Sequence, residues 1–237
     1  MNELELHARS DEAAQRYLSG LADRRVFPTK EAIAALDQFD EELPINGAGA
    51  DDTLSLLERV GTPATVTSNG GRYFGFVIGA SLPAASAVER LCAVWDQCGS
   101  SFVGSPVSAK LEDVAARWVL EILDLPRESR VGFGTSATAC GLSALAVARR
   151  ALLNRQGWDI DADGLIGAPE VKIVIPETVH ITVKKAAKLL GFGLKRLIVA
   201  PCDDRGRVIP EQLPKLDELT ILCLQAGEVN KGDFDLF

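Results

Sequence analysis

Apolar runs of two kinds alternate along the second half of the chain, and this alternation constrains the fold more than any other feature. Short runs rich in Val, Ile and Leu at residues 171–175, 197–200 and 219–224 read as strands. Between them, residues 180–190 read as a helix, and a shorter helix follows Pro210. Strands joined through helices pair in parallel, because a parallel crossover needs about a dozen residues whereas a hairpin needs two. The pattern therefore implies right-handed crossovers and a mostly parallel sheet covered by helices on both faces. Sites in such sheets lie beyond the carboxyl ends of the strands, which points to the segments after Ile175 and after Leu224.

Upstream, Val107, Leu111, Val114, Trp118, Ile122 and Leu125 recur at helical spacing until Pro126 stops them. A second helix is expected to start near Pro83, and a third, rich in Ala and Leu, to span residues 137–156. Residues 1–60 read as three polar helices at 11–21, 29–39 with Thr29 as N-cap, and 51–60 ended by Gly61. Their charged, weakly apolar surface suits an N-terminal helical arm, with residues 61–237 forming the main domain.

Composition narrows the function. With 25 Lys+Arg against 33 Asp+Glu, the net charge is −8, which opposes general binding to nucleic acid or to anionic membranes. The uncharged stretches 73–88 and 131–148 carry Gly and small polar residues, unlike a lipid-facing helix, so no membrane span is expected. Five widely spaced cysteines lack a CxxC pair and read as reduced thiols of a cytoplasmic protein, and the acidic start of the chain is unlike a secretory signal.

Three segments could carry chemistry. The run from Gly132 to Gly141 brings small residues and hydroxyls into the start of a long helix, where free N–H groups and the positive helix end favour an anion; such runs also simply close turns. It matches neither GxxxxGK[ST] nor GxGxxG. His180, just past a strand, could stack on a planar ligand or move a proton, or only bond to backbone at a helix start. The polar loop 225–235 lies where a site belongs and is equally an ordinary Asn/Gly/Asp turn. With His7 solvated in the leader, a histidine-based metal site is not expected.

Taken in order, several segments resemble the pyridoxal-phosphate-dependent decarboxylases of the aspartate aminotransferase superfamily. They are Arg72-Tyr73-Phe74-Gly75-Phe76-Val77-Ile78-Gly79, Trp95-Asp96-Gln97, Ser105-Pro106 with Leu111-Glu112 and Trp118, residues 134–145, Gly157-Trp158-Asp159, His180, and Ala226-Gly227-Glu228-Val229-Asn230 through Phe234-Asp235. The resemblance covers residues 61–237. It implies fold type I: a three-layer αβα large domain with a mostly parallel sheet, behind an N-terminal helical arm and lacking its C-terminal part.

The cofactor so implied is pyridoxal 5'-phosphate, and the reaction is loss of the carboxylate of an amino acid as CO2. The resemblance places the cofactor phosphate at Ser136, Ala137 and Thr138, makes His180 both the ring-stacking and the catalytic residue, and puts Val77, Ile78 and Gly79 on the substrate side. The family usually has Thr or Asn after Ala-Gly; here Glu228 takes that cofactor-side position. A homodimer is implied too. The family's Schiff-base lysine follows the Phe234-Asp235 segment, and no lysine of this chain stands in that context. The expectation is therefore a truncated decarboxylase, inactive or poorly folded alone, with exposed apolar surface. Transamination on the same fold, or a non-catalytic remnant that binds a ligand or partner, are the alternatives.

Overall fold

The computed structural model describes residues 2–236. The chain forms two compact units, Met1–Asp96 and Gln97–Phe237.

The first unit contains helices α1 (Glu3–Ser19), α2 (Lys30–Ala34), α3 (Ala50–Leu56) and α4 (Pro83–Trp95). Asn2 and Glu5 close a reciprocal capping box at the start of α1, each side chain bonding the other's backbone N–H. Thr29 caps α2 through its hydroxyl, as expected from the sequence. The helix expected at 29–39 continues beyond α2 as a 3-10 turn over Ala35–Phe39, and α3 runs into a π turn over Leu57–Gly61. Among the described residues of this unit, Val60 is the one buried apolar side chain. Arginines do much of the joining: Arg16 binds Glu58, Arg90 binds Asp11 and the His7 carbonyl, and Arg72 donates to the carbonyls of Ala22 and Arg24.

The second unit contains α5 (Pro106–Ile122), α6 (Ala137–Arg155), α7 (Ile160–Asp163) and α8 (Ile181–Leu189), with strands β1 (Lys172–Pro176), β2 (Ile198–Ala200) and β3 (Thr220–Leu222). All three expected strands form, and they pair in parallel in the order β2-β1-β3. The central strand is buried from Ile173 to Pro176, which explains its unbroken apolar run. Val174 aligns with Ile198 on one side and Leu222 on the other.

The two faces of β1 are covered differently. Ile173 and Ile175 pack with Leu145 of α6 and with Val179, Ala186 and Ala187. Ala186 and Ala187 have no exposed surface, and side chains this small let α8 lie close to its neighbours. On the opposite face Val174 packs with Ala200, Val208 and Leu213, so the irregular segment after β2, including the 3-10 turn Pro210–Gln212, forms that layer. The β1-to-β2 connection thus lies on one face and the β2-to-β3 return on the other. A constant crossover hand demands this when the direction of stepping reverses. The reversal makes the carboxyl ends of β1 and β3 a topological switch point, the place where sheets of this kind bind their ligands.

Candidate cofactor site

The loop into α6 is built around an exposed N-cap. Ser136 has extended backbone, its Oγ accepts from the Ala139 N–H at 3.2 Å, and its carbonyl accepts from the Cys140 N–H at 3.0 Å. The N–H groups of Ala137 and Thr138 lie ahead of any intrahelical acceptor and have no other partner among the described residues. They stand at the positive end of a 19-residue helix, beside the Ser136 and Thr138 hydroxyls. Gly134 leaves room for Cys140: a Cβ at position 134 would lie 2.6 Å from Cys140 Sγ and 3.6 Å from its backbone nitrogen. The loop backbone therefore lies directly against the first turn of α6.

His180 is exposed and is itself the N-cap of α8. Its Nδ1 accepts from the Thr182 N–H at 3.3 Å and lies 2.9 Å from Thr182 Oγ1. Thr182 was not singled out in the sequence, where the one signal is a hydroxyl two places after a helix-start histidine.

The two helix starts share the carboxyl edge of the sheet. Arg149, in the C-terminal half of α6, donates to the carbonyl of Leu190, which ends α8, at 2.7 Å. Leu142 and Leu145 pack with Ala186 and Ala187 farther back along both helices. The helices therefore run side by side in the same direction. Since α8 begins just after the carboxyl end of β1, Ser136, Ala137 and Thr138 come to the same edge as His180.

Two hubs organise the strand ends there. Thr178 Oγ1 donates to the Gly206 carbonyl and accepts from Gln225 Nε2, joining the segments that follow all three strands. The buried Asp235 carboxylate accepts from the Val208 and Gln225 N–H groups, each at 2.7 Å. Sequence reasoning missed Thr178, whose role comes from contacts 28 and 47 residues away.

Glu228 is also buried, but its carboxylate is engaged by its own turn. Oε2 accepts from the N–H groups of Asn230 and Lys231 at 2.9 Å each, and Oε1 accepts from Asn230 Nδ2 at 2.6 Å. An Ala226–Phe234 bridge closes the loop around it. Val77, Ile78 and Gly79 belong to the first unit and are exposed. Phe76 and Val77 there have φ of 57° and 54°, a left-handed conformation that is rare for a β-branched residue.

The opposite edge holds a cleft of about 210 Å³, lined by Arg149, Leu153, Lys172, Ile173, Phe192 and Arg196 among others. Its cations have structural partners: Lys172 pairs with Asp217, Arg196 with Glu170, and Arg149 lies over the Phe192 ring while capping α8.

The carboxyl edge thus suits a phosphate, which takes uncommitted N–H groups and hydroxyls, next to an imidazole suited to a flat ring. Residues 33–235 match the pyridoxal-dependent decarboxylase conserved domain. The chain belongs to that family. It is 27% identical over 206 residues to 4-hydroxyphenylacetaldehyde synthase of Rhodiola rosea, covering 84% of this chain and 41% of the relative. To the acidic amino acid decarboxylase GADL1 of Mus musculus it is 25% identical over 205 residues, covering 83% and 36%. The chain therefore spans about two-fifths of the length of these curated relatives.

Among solved structures, the glutamate decarboxylase domain of a diaminobutyrate-pyruvate transaminase and L-2,4-diaminobutyrate decarboxylase from Vibrio parahaemolyticus superposes with a TM-score of 0.85 at 18% identity. That match covers 99% of this chain and 55% of the other. The fold type I architecture expected from the resemblance is the fold of this chain, and the cofactor of its family is the pyridoxal group expected from the same residues.

Proposed function

We propose that these residues form the cofactor-binding part of a pyridoxal 5'-phosphate-dependent amino-acid decarboxylase. The observation that carries this reading is the convergence of two helix starts on one sheet edge, one with free N–H groups and hydroxyls and the other with His180. When bound, the cofactor supplies an electron sink that lets the bond between Cα and the carboxylate of an amino acid break. The N–H groups of Ala137 and Thr138 would hold phosphate oxygens, and the Ser136 and Thr138 hydroxyls would donate to them, since Ser136 Oγ spends only a lone pair on its helix. His180 would lie with its ring against the cofactor and assist the protonation that takes the place of the departed CO2. Glu228 shapes the loop beside the site through its own turn.

The family resemblance alone assigns Val77 and Ile78 to the substrate side, where apolar side chains favour an uncharged substrate side chain. No lysine of this chain is assigned as the residue that carries the cofactor. A homodimer follows from the family reading, and a cytoplasmic location from the five free cysteines.

The test is PLP titration, followed by release of CO2 from a panel of amino acids, using the protein purified from its own cells. Thr138→Val and Ser136→Ala are each expected to weaken PLP binding about tenfold, the loss of one hydrogen bond to a charged group. His180→Ala is expected to retain PLP and lose CO2 release. PLP affinity unchanged in both loop variants, or no CO2 from any amino acid with PLP bound, would overturn the reading.

A further inference from the structure

The start of α8 breaks a local rule. Asn, Asp, Ser and Thr are the usual N-caps because a short side-chain oxygen reaches the N–H of the second or third helical residue. Here a histidine does this work, with a 3.3 Å bond from the Thr182 N–H to Nδ1. A ring in a place where a smaller side chain caps better points to a use for the ring itself. That ring is exposed, so hydrogen bonds rather than packing must set its orientation.

Both hydrogen bonds to the ring come from one residue. A backbone N–H can only donate, so in this geometry Nδ1 is the acceptor and carries no proton. Thr182 Oγ1, 2.9 Å away, approaches the same lone pair from a second direction. A single bond would leave the ring free to tilt about it, whereas two donors fixed to the same backbone restrict both tilt and flip. Threonine suits this because branching at Cβ restricts χ1 and fixes the hydroxyl's direction. Its neighbours Ile181 and Val183 are branched as well but offer no donor beyond the backbone.

We propose that Thr182 is a positioning residue for His180. It holds Nδ1 as an acceptor, assigns the proton of the neutral ring to Nε2, and keeps the ring faces in a fixed orientation at the carboxyl edge of the sheet. The inference rests on His180 being the group that meets the cofactor ring, but its first test does not require cofactor.

That test is 15N NMR of the full chain. His7 is the only other histidine, so His7→Gln assigns the His180 signals. In the wild type, Nδ1 is expected to show the shift of an unprotonated acceptor and Nε2 that of a protonated nitrogen, with a coupling across the hydrogen bond to the Thr182 amide. Thr182→Val keeps the shape and removes the hydroxyl. It is expected to weaken that coupling, because the ring can then tilt about the one bond left from the amide, and to increase the tautomer protonated at Nδ1. Thr182→Ser is expected to restore the wild-type pattern. Identical His180 signals in the valine variant and the wild type would overturn the proposal.

With PLP added, the circular dichroism of the bound cofactor is expected to fall in Thr182→Val, with affinity unchanged, and to return in Thr182→Ser. An unchanged cofactor signal in the valine variant would also overturn it. Failure of the wild type to bind PLP would instead overturn the decarboxylase reading, with the NMR comparison still deciding the role of Thr182.

Discussion

Lys172 and Asp217 fasten the amino end of β1 to the turn before β3 through a 2.6 Å bond. The Lys172 ammonium first, and then the Thr220 hydroxyl, hold the Asp217 carboxyl well below its ordinary value of 3.8, at about 2. A depressed carboxylate contributes stability that is fully present above its unfolded pKa and is lost as pH falls through the folded one. Asp217→Asn is therefore expected to be less stable than the wild type near neutrality, with the difference shrinking between about pH 4 and pH 2. Urea midpoints of the two proteins across that range would show it. Asp203, bound by Arg207 and also lowered to about 2, titrates in the same window, so the informative quantity is the difference between the two proteins. A difference constant from pH 7 to pH 2 would refute the linkage. The two groups are solvated, so the effect is small and is reduced further by salt.

At the scale of elements, the entry to α6 makes the sharpest demand on sequence. A Cβ at position 134 would meet Cys140 Sγ at 2.6 Å, so Gly134→Ala must push the sulfur or the loop aside. Both residues are exposed and the sulfur can turn away, so the expected cost is below about 1 kcal/mol, together with weaker PLP binding from a displaced loop. Removing the sulfur in Gly134→Ala/Cys140→Ala is expected to recover most of the loss. A double variant no more stable than Gly134→Ala in urea denaturation would show that something other than this contact fixes the glycine.

The same loop shows what the sequence made legible. Ser136 before a long Ala- and Leu-rich run announced the start of α6, and the three β-branched runs announced the parallel ladder, because these signals are local and periodic. Strand ends were less visible: residues 219–224 looked like one strand, yet pairing with β1 covers only Thr220–Leu222, a limit set by a partner far away in sequence. Helix α7, with four residues, is too short to show a period, although Asp159 caps it. The extension of α2 as a 3-10 turn and of α3 as a π turn was hidden because neighbouring hydrogen-bond patterns present nearly the same side-chain faces. At the candidate site, Ser136 as the start of α6 and His180 as the residue opening the helix after β1 could be read from residue type, whereas the burial of Glu228 in its own turn and the bridging role of Thr178 depend on tertiary contacts.

At the scale of the whole molecule, the burial pattern is uneven. The core around β1 is closed on both faces, while α5 keeps Leu111, Trp118 and Ile122 exposed at 60%, 62% and 79%. Seven and eleven residues apart, these positions fall within about 40° of one another around a helix and so form one apolar stripe. Phe74, Phe76, Phe102 and Val103 add further exposed apolar surface. Isolated exposed apolar residues are ordinary, but a contiguous stripe on a helix tends to be covered by a partner or to drive association. The net charge of −8 opposes that association by repulsion, which salt screens. The purified chain is therefore expected to bind a hydrophobic dye and to self-associate more strongly as salt is raised, as followed by sedimentation velocity. Trp118→Glu with Ile122→Lys is expected to weaken both effects while leaving the melting temperature nearly unchanged, because neither side chain is buried. A monomer at all salt concentrations with no dye binding would show that the stripe is tolerated in water. Association that persists in the double variant would shift the contact to the exposed phenylalanines. The dependence on salt separates apolar contact, which salt leaves intact or strengthens, from pairing of opposite charges, which it weakens.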